Sequence, residues 1–104
     1  MILRELINFL EKRDSTKVVR HGFNKPHSYR GYYDELAFEP ARDVTIGKML
    51  ACAKAALGTT YEGYKGGEYV MEEYTDVWLA EWGCTGEMLG ETLLKYMVGE
   101  MDLA

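Results

Sequence analysis

The feature that most constrains this chain is a stripe of apolar residues at its start. Ile2, Leu3, Leu6, Ile7 and Leu10 recur at helical spacing, with Phe9 at the edge, while Glu5, Glu11, Lys12 and Arg13 take the other side. The spacing predicts an amphipathic helix over 2–13, ended by the turn-favouring run Asp14-Ser15-Thr16. Such a helix must bury one face against something else, and the rest of the chain has to supply the partner. With 104 residues, 47 % of them apolar, there is enough chain for one modest core, and we read 1–104 as a single domain.

Two more helices and two β-rich stretches follow from the pattern. Lys17-Val18-Val19-Arg20 reads as a short strand, His21 to Gly31 as a loop punctuated by Gly and Pro, and Tyr32 to Phe38 as a half-buried strand stopped by Pro40. Asp43 or Thr45 can cap a helix near 44–57, where Ile46, Met49, Leu50, Ala53 and Leu57 form one stripe and Gly58 ends it. Residues 59–82 alternate and are rich in Tyr and Gly. Either Gly66-Gly67 turns a hairpin, or Gly63–Gly67 is a ligand loop and the chain turns at Glu72–Thr75. Val77–Ala80 is a strand, Gly83–Gly86 a break, and Leu89, Leu93, Leu94 and Met97 mark a helix near 87–98. The order α-β-β-α-β-β-α predicts an α+β fold: a small antiparallel sheet with helices packed on it.

The charge of −5 disfavours general nucleic-acid binding but leaves room for a local basic pocket. No run approaches the ~20 apolar residues of a membrane span, and the charged N-terminus has no signal-peptide core. A cytoplasmic protein is expected. Cys52, in an Ala-rich run, reads as core; Cys84, after Gly83, as a turn residue; a disulfide between them is not required. The six methionines read as core filler, and Trp78 with Trp82 as core or subunit contact.

Chemistry concentrates in His21–Tyr32. Arg30 can fork onto two oxygens of a phosphate or carboxylate; His21, Asn24, His27 and Ser28 supply hydrogen bonds; Tyr29 and Tyr32 can stack on a ring. A second segment, Tyr61–Tyr69, adds Tyr64 for stacking and Lys65 for charge, unless its tyrosines simply pair across a hairpin. A structural loop, with Arg30 paired to an acid such as Glu39, is the alternative for the first segment. There is no Gly-Lys-Ser/Thr of a phosphate loop, and no His or Cys pair at metal-ligand spacing, so neither metal nor cofactor is expected.

His21-Gly22-Phe23, Pro26-His27-Ser28-Tyr29-Arg30-Gly31-Tyr32, Leu36-Ala37-Phe38-Glu39-Pro40 and the Tyr61–Tyr69 run together resemble a pattern in small bacteriophage-encoded proteins. The resemblance covers about residues 17–82 and carries no activity. It implies a viral origin and, by lifestyle, action against host defence. Three readings follow. The first is a binding module holding a phosphorylated or nucleotide-like ligand, in which a homo-oligomer would deepen the pocket. The second is an inhibitor that covers a host protein with an acidic, tyrosine-rich surface. The third is a small hydrolase using a histidine and a glutamate.

Overall fold

The structure is a computed structural model that describes residues 1–29, 35–62, 68–81 and 86–100. Helix α1 (Leu3–Glu11) buries Leu3, Leu6, Ile7, Phe9 and Leu10. Its first turn is closed by Glu5, whose Oε1 accepts the Ile2 N–H at 3.0 Å. Strands β1 (Val18–Ser28) and β2 (Leu36–Thr45) form a long antiparallel hairpin. Helix α2 (Ile46–Ala56) starts where β2 ends, with the Thr45 Oγ1 accepting the Lys48 N–H at 3.0 Å, as the sequence predicts for a cap. Gly58 leaves the helix at φ +79°. The strands β3 (Thr60–Glu62), β4 (Glu68–Val70), β5 (Val77–Leu79) and β6 (Glu87–Met88) are short, and α3 (Glu91–Met97) follows.

The fold is α+β, and the order of helical and strand regions is the one read from the sequence. One sheet runs β1-β2-β5-β6 and a second pairs β3 with β4. The larger sheet is mixed: β2 and β5 run parallel through Leu36–Phe38 and Val77–Leu79, while its other pairings are antiparallel. A parallel neighbour requires a long crossover, here α2 with β3 and β4. Leu36, Phe38, Phe23 and Met71 join the buried faces of the helices in the main core. Phe23 and Phe38 meet at 4.5 Å between ring centroids. No helix among the described residues is long and apolar enough to cross a membrane.

Several expected boundaries move. His21–Ser28 is strand, not loop. Its Pro26 and the positive φ of Lys25 (38°) sit at a register shift, so one extra residue is absorbed as a bulge. Pro40 does not stop β2, which continues to Thr45. The β5 pairing ends at Phe38, so from there β2 is paired on one side and tolerates a proline. The strand placed over 32–38 is found over 36–45, and residues 30–34 lie outside the described residues. The third helix starts at Glu91, since Glu87 and Met88 pair with β5.

The tyrosines of the second segment pair as in a plain hairpin: Tyr61 stands opposite Tyr69. Residues 63–67 separate the two strands and lie outside the described residues, as do Trp82 and Cys84. Cys52 is free and half-buried against the core.

Candidate ligand groove on the long hairpin

The register of β1 on β2 places His21 directly opposite Arg42. Residues opposed in an antiparallel ladder project to the same face, so imidazole and guanidinium stand side by side. Both are exposed. With Gly22, Pro40, Ala41 and Leu79 they line a groove of about 250 Å³. Gly22 is fixed by packing behind it: a Cβ there would meet Val44 Cγ2 at 2.5 Å and Met49 Sδ at 3.0 Å.

The basic side chains of the hairpin are held in no ion pair among the described residues, although Glu39 and Asp43 lie on the same strand as Arg42. Ion pairs among the described residues lie elsewhere: Arg4–Glu73, Arg13–Glu100, Lys54–Glu11 and Lys95–Glu91. Arg20, His21, Lys25 and Arg42 on the hairpin are exposed and have no ion-pair partner among the described residues. Among the described residues no carboxylate lines the groove.

A larger groove of about 550 Å³ lies between α1 and the start of α3. Most of its charged side chains are engaged; Lys12, which also lines it, has no ion-pair partner among the described residues. The Arg13 guanidinium covers the Phe9 ring at 3.4 Å and donates to both Glu100 oxygens at 2.6 and 2.8 Å, which holds the Glu100 carboxyl below its ordinary value. Glu91 is paired with Lys95, and Glu5 with the Ile2 N–H. Glu5 and Glu91 line it, so it sets carboxylates against an anion.

Of the described residues that the sequence singles out for a site, only His21 is in the hairpin groove. Asn24 is half-buried opposite Glu39. His27 has a structural role: Nε2 lies 3.0 Å from the Ala80 carbonyl and Nδ1 3.1 Å from that of Ser28, tying β1 to the end of β5. Ser28 is fully buried opposite Leu36. Tyr29 is buried and lies flat on Trp78, with centroids 4.2 Å apart and planes 6° apart; its hydroxyl accepts the Gly86 N–H at 3.3 Å. A ring already stacked on an indole is not a free platform for a base. The Trp78 Nε1 is buried with no hydrogen-bond partner among the described residues. Arg30, Tyr32, Tyr64 and Lys65 lie outside the described residues.

Arg42, Pro40 and Leu79 were not read from the sequence as site residues. The register alone would reveal Arg42, and it stays hidden while Pro40 is taken to end the strand. Among the described residues no group of three or more His, Cys, Asp or Glu could hold a metal ion. No family model matches the sequence, and no match is found among the curated proteins or the solved structures.

Proposed function

We propose that the protein is a binding module for a small phosphorylated ligand, with the anionic group held in the hairpin groove between His21 and Arg42. The observation that supports this reading is the opposition of two exposed basic side chains that, among the described residues, have no ion-pair partner and share their groove with no carboxylate. Arg42 forks onto two phosphate oxygens, the role the sequence suggested for Arg30, and the His21 ring donates to a third. Pro40 and Leu79 form an apolar wall beside the charge.

A volume of about 250 Å³ falls below the ~300–1,000 Å³ of sites that enclose a whole drug-sized ligand. The groove therefore takes the charged group and leaves the rest of the ligand over the hairpin surface. Nucleotides, cyclic dinucleotides and ADP-ribose derivatives have the required chemistry. If the chain acts as the bacteriophage resemblance suggests, holding such a ligand withdraws a host defence signal.

The test is a thermal shift against that panel, comparing wild type with Arg42→Ala. A ligand at 100 times its dissociation constant adds about 2.7 kcal/mol to stability. The expected result is a shift in wild type that Arg42→Ala removes without lowering the unliganded melting temperature. A shift that survives Arg42→Ala, or none with any panel member, overturns the proposal. Ligand recovered in altered form would transfer the reading to a hydrolase.

A further inference from the structure

The charge is divided along the chain. Residues 1–58 carry +3 and residues 59–104 carry −8. The fold turns this division into two ends. The pairing of Val18 with Thr45 sets the start of β1 beside the N-terminus of α2, so Arg20, His21, Arg42 and Lys48 gather there and outnumber the one strand carboxylate among them, Asp43. Helix α2 then runs eleven residues, about 16 Å at ~1.5 Å per residue. It delivers Leu57 and Gly58 to another groove, about 370 Å³, walled by Val70, Glu72, Glu73 and Tyr74. Glu68 shares a strand face with Val70, and Glu62 stands opposite Glu68. The dipole of α2 points the same way, positive at the basic end and negative at the acidic one.

Each end also exposes apolar surface. Val18 is 58 % exposed beside Arg20; Val70 and Tyr74 are 49 % and 71 % exposed at the acidic groove. Glu73 is engaged by Arg4, whereas Glu62, Glu68 and Glu72 have no ion-pair partner among the described residues.

We propose that the acidic groove of one copy receives the basic end of a second copy, head to tail. Charge complementarity within the chain itself selects this occupant: Arg20 and Arg42 face Glu68 and Glu72 of the neighbour, and Val18 meets Val70. Two different surfaces meet, so the contact builds rings or open chains and not a two-fold dimer. Arg42 then serves either a neighbouring carboxylate or a free anion. The self-association does not rest on the ligand reading, because it is measured in phosphate-free buffer.

The experiment is sedimentation velocity over a range of concentrations, at about 10 mM and about 1 M salt, where the screening lengths are ~30 and ~3 Å. Wild type should grow in size with concentration at low salt and be monomeric at high salt. The exposed-site variants Arg20→Gln/Arg42→Gln and Glu68→Gln/Glu72→Gln should each be monomeric alone. Mixed one to one, they should form dimers and nothing larger, since each retains one working end. Wild type that stays monomeric at low salt overturns the proposal. So does assembly that either variant pair retains alone, or a mixture that fails to associate.

Discussion

Two of the antiparallel hairpins, β1–β2 and β3–β4, are held in different ways. In β1–β2 the ladder runs from Val18–Thr45 to Ser28–Leu36, and Phe23, Leu36 and Phe38 are fully buried beneath it. In β3–β4 each strand has three residues, and Glu62 faces Glu68 across the ladder, an unfavourable pairing. The short hairpin is held from its flanks. Tyr61 and Tyr69 lean on the core, Met71 is buried in it, the Gly58 N–H donates to the Met71 carbonyl at 2.7 Å, and the Met71 N–H donates to the Thr59 carbonyl at 3.0 Å. The long hairpin can carry unpaired charge because its stability comes from the core. The short one carries charge at the expense of its own ladder.

This contrast can be broken by four measurements. Phe38→Ala removes a ring from the core under the long hairpin and should cost about 3–5 kcal/mol in urea unfolding, the largest effect. Met71→Ala should cost about 2–3 kcal/mol. Hydrogen exchange should then loosen Thr60–Glu62 and Glu68–Val70 while Val19–Phe23 stays protected; equal loosening of both hairpins would refute separate anchoring. Glu62→Lys replaces a like-charge pair by an opposite one and should gain about 0.2–1 kcal/mol, readable as a higher denaturation midpoint.

The smallest effect is confined to alkaline solution. Burial, with a lesser contribution from Cys52, raises the Tyr61 phenol above its usual value near 10.0. A raised acid is stabilising as the neutral form below its unfolded value, and that contribution is lost as pH rises through the folded value. Stability should therefore fall above pH 10.0 in wild type and fall less in Tyr61→Phe, followed by chemical denaturation across that range.

Much of this was legible in the sequence. The stripe of α1, the Thr45 cap, the Gly58 exit and the Val77 strand all depend on local chemistry, and local chemistry is written in consecutive residues. The course of β1 was not. His21–Ser28 contains Gly, Asn, Pro and two histidines and resembles a loop; it is a strand because β2 pairs with it and a bulge absorbs the awkward residues. His27 and Tyr29 looked free to meet a ligand, yet Ala80 and Trp78, distant in the chain, engage them. The groove itself depends on opposing residues 21 and 42, a long-range fact that becomes readable only once Pro40 is known to be inside a strand.

The parallel contact of β2 with β5 bears on the order of synthesis. Leu36–Phe38 emerge from the ribosome with one neighbour already made, β1, while their other edge must wait for Val77–Leu79. Throughout that interval the most apolar stretch of the hairpin presents an open side, the state in which nascent sheets are captured by the wrong strand. Beyond Phe38 the same edge carries Glu39, Pro40 and Arg42, poor material for another strand to add to. The exposed gap is thereby cut to three residues, short enough for the chain to survive the delay before its own β5 closes it.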